Sequence, residues 1–250
     1  MQRLFLFKKI LEELVLRICN LRRQKRKILN MKKLLSILTI TLLFSCHNQA
    51  QVNPEQKAVI DAEPVAVPLK DGKARAYFAS GCFWCVEAIF ESVKGVDKSI
   101  SGYAGGFTEN PTYEASNTGK TGHAEAVEII YDPEIISFSE LVDVYFGSQN
   151  PTQVNGQGPD HGSQYRSIIF YQNDEQKKII EDKKAALAKE LDATIAAEVY
   201  PFQKFWVGED YHQNYERLHP NQGYIRNVSI PRLNKFKAKF PELLKEDEKH

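Results

Sequence analysis

Three strand-like runs, each followed at once by a helix-like stretch, constrain this chain more than anything else in it. Ala74–Ala79 precedes Cys82–Val93, His123–Tyr131 precedes Ser137–Gly147, and Ser167–Tyr171 precedes Asn173–Leu191. Further strands are predicted near Lys98–Tyr103 and at Ala193–Tyr200. Ser137 with Glu140 spells a capping box, and Asn173 caps the helix after it. This order predicts an α+β fold, a two-layer sandwich of mixed β-sheet with helices on one face around a ferredoxin-like core. Two long loops, one ending at Gly122 and one spanning Ser148–Tyr165, are unusual in a compact domain and are where function is expected. From Pro201 the chain is aromatic-rich and predicts an irregular tail ending in a helix near Pro231–Lys245. In that tail Phe202, Phe205, Trp206 and Tyr211 read as covering for the core.

Charge separates the first 45 residues from the rest. They hold eleven Lys or Arg against Glu12 and Glu13, a net of +9, while the remainder holds 22 basic and 30 acidic side chains, a net of −8. An acidic folded region argues against a nucleic-acid partner, because phosphate binding needs a basic face. Residues 31–45 combine Met-Lys-Lys with the apolar run Leu34–Phe44, the layout of an export signal. The run is shorter than the roughly 20 residues a membrane span needs. Leu43-Phe44-Ser45-Cys46 resembles the lipobox of bacterial lipoproteins, which implies cleavage before Cys46, acylation of Cys46 and a lipid anchor at the cell envelope. Ordinary cleavage near Ala50 is the alternative. Residues 1–30 form an upstream extension of this signal, with Met31 as a candidate true start. Residues 46–72 are polar, contain three prolines and read as a tether. Residues 73–250 are the expected folded domain, and a monomer is expected.

The four cysteines, Cys19, Cys46, Cys82 and Cys85, are too few for a disulfide scaffold. Gly81-Cys82-Phe83-Trp84-Cys85 is the most informative stretch. A cysteine at a helix start meets unpaired N–H groups and the positive dipole end, which predicts a lowered Cys82 pKa and a nucleophilic thiol. Cys85 lies three residues on, within reach as a second thiol. A structural disulfide and half a zinc site are the competing readings. Zinc would need further ligands, and His123, His161, His212 and His219 lack zinc-finger spacing, so no metal is expected. A Cys-x-x-Cys after a strand also suggests a general thiol–disulfide oxidoreductase.

The residues between and after the cysteines point elsewhere. GCFW at 81–84, GYAGG at 102–106, NPTY at 110–113, TGHAEAVEI at 121–129, GPDHGSQYRS at 158–167 and EDYHQNY at 209–215 occur in this order. Together they resemble the peptide methionine sulfoxide reductase A family over roughly residues 73–220. The resemblance implies that Cys82 attacks the sulfoxide sulfur and that Phe83 and Trp84 form the pocket for the S-methyl group. It implies Glu125 as the acid, Tyr113 and Tyr165 as donors to the sulfoxide oxygen, and Asp160 as a supporting group. The substrate implied is the S-epimer of methionine sulfoxide, free or in proteins. Cys at the fifth position of the signature marks the GCFWC subset, which implies that Cys85 resolves the sulfenic acid into a Cys82–Cys85 disulfide. An external dithiol, a thioredoxin-like protein or dithiothreitol, would then reduce it, with no bound cofactor. Without the resemblance, Tyr113 and Tyr165 read as loop aromatics, Glu125 as a solvent-facing strand residue and Asp160 as a turn former. Two other functions remain open at this point: general thiol–disulfide exchange independent of Glu125, and a non-enzymatic peptide-binding surface lipoprotein.

Overall fold

The computed structural model describes residues 53–248, so the upstream extension, the signal peptide, Cys19 and Cys46 lie outside the described residues. In chain order the elements are α1 (Pro54–Ile60), β1 (Ala74–Ala79), α2 (Phe83–Glu91), β2 (Val96–Ala104), α3 (Tyr113–Asn117) and β3 (Ala124–Tyr131). They continue with α4 (Phe138–Gly147), the short pair β4 (Gly156–Gln157) and β5 (Asp160–His161), β6 (Ile168–Tyr171) and α5 (Asp174–Leu191). The chain ends with β7 (Glu198–Pro201), β8 (Phe205–Val207), α6 (Tyr215–Leu218) and α7 (Ile230–Lys239). The expected caps form: Ser137 and Glu140 close a reciprocal capping box on α4, and Asn173 accepts from the Gln176 N–H.

Six strands build one sheet in the order β7-β6-β1-β3-β2-β8, with only the β6–β7 pair parallel. Its centre, β6-β1-β3-β2, is linked by β1–α2–β2 and β3–α4–β6, the split βαβ arrangement of a ferredoxin-like core. The mixed sheet with helices is thus the fold that the sequence order predicts. Alternation along each strand divides the residues between two faces. Phe78, Val127 and Ile129 meet Ile89 and Phe90 of α2, Leu141 and Tyr145 of α4 and Ile180 of α5. Phe78 stacks on Phe90 with ring centroids 5.1 Å apart. Glu125 shares the parity of Val127, which turns its carboxyl toward the helices instead of solvent.

The opposite face holds Tyr77, Ala79, Ala104, Ala126, Ile168 and Phe170. Ile60 and Val67 pack against it, so residues 53–72 do not behave as the free tether their composition suggests. The physical reason is that scattered apolar side chains and backbone bonds suffice to hold an irregular segment on an apolar face. Val65 N–H donates to the Phe202 carbonyl, Val67 N–H to Gln172 Oε1, and Gln56 Nε2 to the Gly105 carbonyl.

Two other expectations shift. The strand predicted from Ala193 starts only at Glu198, because Asp192 ends α5 in a left-handed conformation and Ala196 N–H bonds the Pro151 carbonyl instead of a neighbouring strand. The tail is also more ordered than predicted. Phe205–Val207 pairs with β2 in the register Tyr103↔Trp206, a close approach that Gly102 permits because a Cβ there would sit 2.2 Å from the Trp206 carbonyl oxygen. Phe202 does cover the core, stacking on Tyr77 at 3.8 Å, whereas Tyr211 is 56% exposed.

Candidate active site

Ser80-Gly81 turns the chain from β1 into α2 and presents Cys82 at the helix N-cap. Gly81 has φ +82°, and a Cβ on it would meet Gln157 Cβ at 2.5 Å, so glycine is needed both for the turn and for the approach of the second long loop. Cys82 and Cys85 are free thiols hydrogen-bonded to each other. Cys82 keeps 6% of its surface in contact with solvent. Burial pushes its thiol well up, the reverse of the lowering predicted from its helix-start position. The neighbouring Phe83 N–H donates to Glu125 Oε2 at 3.0 Å. The hydrogen bond from Cys82 instead lowers Cys85, to about 7, helped by Arg232, Ser229 and Tyr224. The two thiols are therefore inequivalent: burial holds the Cys82 proton on, while the Cys82 contact brings Cys85 down toward neutrality.

Glu125, on β3, is 2% exposed, and burial raises its carboxyl to about 8. The acid is therefore protonated at neutral pH. Tyr113 enters at the first turn of α3, whose start Thr112 caps, and Tyr165 ends a short 3₁₀ turn in the second loop. Their phenols are hydrogen-bonded neighbours, and burial, with Glu125 and Cys82 close by, raises both and keeps them as O–H donors. The two sequence-distant loops thus meet at one point. Arg166 stitches them together by donating to the Ser163 and Gly122 carbonyls, each at 2.8 Å.

Phe83 is 1% exposed and Trp84 partly buried, so both rings pack beside Cys82. Their rings lie 6.2 Å apart, and Phe83 lies 6.3 Å from Tyr113. Further residues that residue-by-residue reading does not assign complete the frame. His212 Nδ1 accepts from the Trp84 indole N–H at 3.1 Å and packs 4.7 Å from both Phe83 and Tyr113. Tyr215 stacks on Trp84 at 3.9 Å. Glu209 accepts from the Tyr113 N–H and the Tyr103 hydroxyl. All three fall in the EDYHQNY motif, which was their signal. Tyr224 and Arg232 had none. Arg232 on α7 donates to the Ser148 carbonyl, the Ser80 carbonyl and Ser80 Oγ, tying the tail to the turn before Cys82.

Asp160 is half-buried on β5 and accepts from the Tyr224 hydroxyl at 2.5 Å. A cavity of about 1080 Å³ reaches Cys85, lined also by Asp160, Tyr224, Arg232, Lys235 and Lys239 among others. Among the described residues no group of three or more His, Cys, Asp or Glu side chains could hold a metal ion.

A thiol pair beside a protonated buried carboxyl, paired phenols and packed aromatic rings is an arrangement suited to redox chemistry at sulfur. Residues 74–244 match the family model of peptide methionine sulfoxide reductases. The chain is 49% identical over 171 residues to peptide methionine sulfoxide reductase MsrA of Pasteurella multocida, covering 68% of this chain and 98% of the relative. Methionine sulfoxide reductase A of Corynebacterium diphtheriae aligns with a TM-score of 0.56 and 34% identity, over 65% of this chain and 84% of that one. The reduced form of Mxr1 from Saccharomyces cerevisiae aligns with the same TM-score and 30% identity, over 64% and 91%. The chain belongs to the peptide methionine sulfoxide reductase family. It is an oxidoreductase that reduces methionine sulfoxide in peptides.

Proposed function

We propose that this protein is the S-epimer-specific reductase of the GCFWC kind, closing a Cys82–Cys85 disulfide that a thioredoxin-like dithiol reopens. The observation that carries this reading is the contact between the two thiols beside protonated Glu125. Cys82 attacks the sulfoxide sulfur while Glu125 gives its proton to the departing oxygen. Tyr113 and Tyr165 hydrogen-bond that oxygen as charge develops on it, as an oxyanion hole does. Phe83 and Trp84 enclose the methyl group, which orients one epimer. The oxygen passes to the Cys82 sulfur as the transient bond between Cys82 and the methionine sulfur breaks. Methionine thus leaves and Cys82 becomes a sulfenic acid, whose hydroxyl Cys85 then displaces as water. The cavity beside Cys85 offers the reductant a route separate from the sulfoxide pocket.

A single-turnover assay on separated epimers tests the reading. Cys85→Ser should release one methionine per enzyme from the S-epimer and then stall with thioredoxin as reductant. Reduction of the R-epimer at a comparable rate, or normal thioredoxin recycling by the variant, would refute it.

We also propose that the mature chain begins at an acylated Cys46 and works on the bacterial cell envelope. The lipobox-like Leu43–Cys46, following the export-signal layout of residues 31–45, supports this. Labelled palmitate should enter the wild-type chain and not Cys46→Ser, and label persisting in the variant would defeat the anchor.

A further inference from the structure

Closing the Cys82–Cys85 disulfide involves protons that the sulfoxide chemistry does not assign. Cys85 must lose its thiol proton as it attacks, and the hydroxyl on Cys82 must gain one to leave as water. Tyr224 stands where that exchange would occur. Its hydroxyl lies 3.7 Å from Cys85 Sγ and donates to Asp160 Oδ2 at 2.5 Å. The phenol is fixed from two sides. Its ring meets Trp84 edge-on at 6.2 Å, and it leads into the π-helical turn Ile225–Ser229 that runs into α7.

The charged and titratable neighbours of this group come from three sides. Cys82 and Cys85 face it from α2 and its cap, with Glu125 of β3 beyond Cys82. Asp160 faces it from β5, with His161 beside that carboxyl. Arg232 of α7 acts on both Asp160 and Cys85, and Ser229, whose hydroxyl donates to Glu216, lies beside Cys85. Asp160 is therefore tied to the resolving sulfur through Tyr224. No hydrogen bond links it to Glu125 or to the phenols of Tyr113 and Tyr165.

We propose that Tyr224 is a catalytic residue of disulfide closure, and that Asp160 is a positioning residue acting through it. This rests on the Cys82–Cys85 disulfide proposed above. The Cys85 S–H proton passes to the Tyr224 oxygen as the Tyr224 O–H proton passes to Asp160. The Cys85 sulfur bonds to the Cys82 sulfur, the Cys82 S–O bond breaks, and the departing hydroxide takes the proton from Asp160 through the same phenol. Cys82–SOH and Cys85–SH become one disulfide and one water, with no outside oxidant.

The test mixes reduced full-length protein with one equivalent of an S-sulfoxide peptide and quenches at intervals with a sulfenic-acid trap and a thiol alkylator. Mass spectrometry of the tryptic peptide 76–94, which carries both cysteines, follows sulfenic acid and disulfide. Tyr224→Phe keeps the ring and removes the relay oxygen. It should slow closure about 100-fold relative to methionine release, a usual size for lost acid–base help. Asp160→Asn should slow closure at pH 6 and leave a rate that rises in step with hydroxide, because only bulk water then takes the Cys85 proton. Closure within about twofold of wild type in Tyr224→Phe overturns the proposal, and an unaltered pH profile in Asp160→Asn removes Asp160 from it. If the wild-type peptide never loses its two thiol hydrogens, the Cys82–Cys85 reading itself has failed and the relay falls with it.

Discussion

Cys82→Ser is expected to abolish methionine sulfoxide reduction, a loss of at least about 10⁶-fold because it removes the attacking thiolate. A serine hydroxyl is a far weaker nucleophile than a thiolate, and it cannot accept the sulfoxide oxygen as a sulfenic acid. Its oxygen fits the N-cap of α2, so the fold survives and the loss is chemical. Methionine release followed by chromatography, with dithiothreitol as reductant, measures it. Turnover above about one per cent of wild type would place the nucleophile elsewhere. Cys85 is the obvious substitute, and a double variant lacking both thiols would expose it.

Glu125→Gln should slow sulfoxide reduction by about 10² to 10⁴-fold at neutral pH. The amide can accept the Phe83 N–H and fill the same buried volume, but it has no proton to give. Burial raises the wild-type carboxyl from 4.5 to about 8, so the acid form prevails at pH 7 and is lost as pH rises through about 8. The wild-type kcat/KM should therefore carry an alkaline limb near that pH, and the variant should lack it. Stability follows the same group. The unfolded carboxyl ionises near 4.5 and the folded one only near 8, so wild-type stability falls as pH climbs through that window, and the glutamine variant escapes this part of the fall. An unchanged rate at pH 7, or an alkaline limb that persists in the variant, would reassign the acid.

Together these variants separate the reductase from a general thiol–disulfide oxidoreductase. Exchange between sulfurs needs no proton delivered to an oxygen, so it would survive Glu125→Gln. The enclosure of Trp84 by His212 and Tyr215 points the same way. That frame holds a flat apolar wall beside Cys82, a feature suited to a methyl group and of no use to a disulfide.

Local signals in the amino-acid order were enough to read the core. Strand–helix repetition, the Ser137–Glu140 box and the Asn173 cap depend on neighbours within a few residues, and periodicity reports those directly. The ordered motifs likewise singled out Cys82, Phe83, Trp84, Tyr113, Glu125, Asp160 and Tyr165 as candidates, because their spacing is written along the chain. Three features required the tertiary structure. The pKa order of the two thiols was one, since it depends on how deeply folding buries Cys82 and on its contact with Cys85. The seating of residues 53–72 on the second sheet face was another, because contacts to Phe202, Gln172 and Gly105 leave no periodic trace. The third was the place of Tyr224, which reaches Cys85 and Asp160 across 139 and 64 residues. Such separations carry no local pattern, so only the packed chain decides which side chains share a proton.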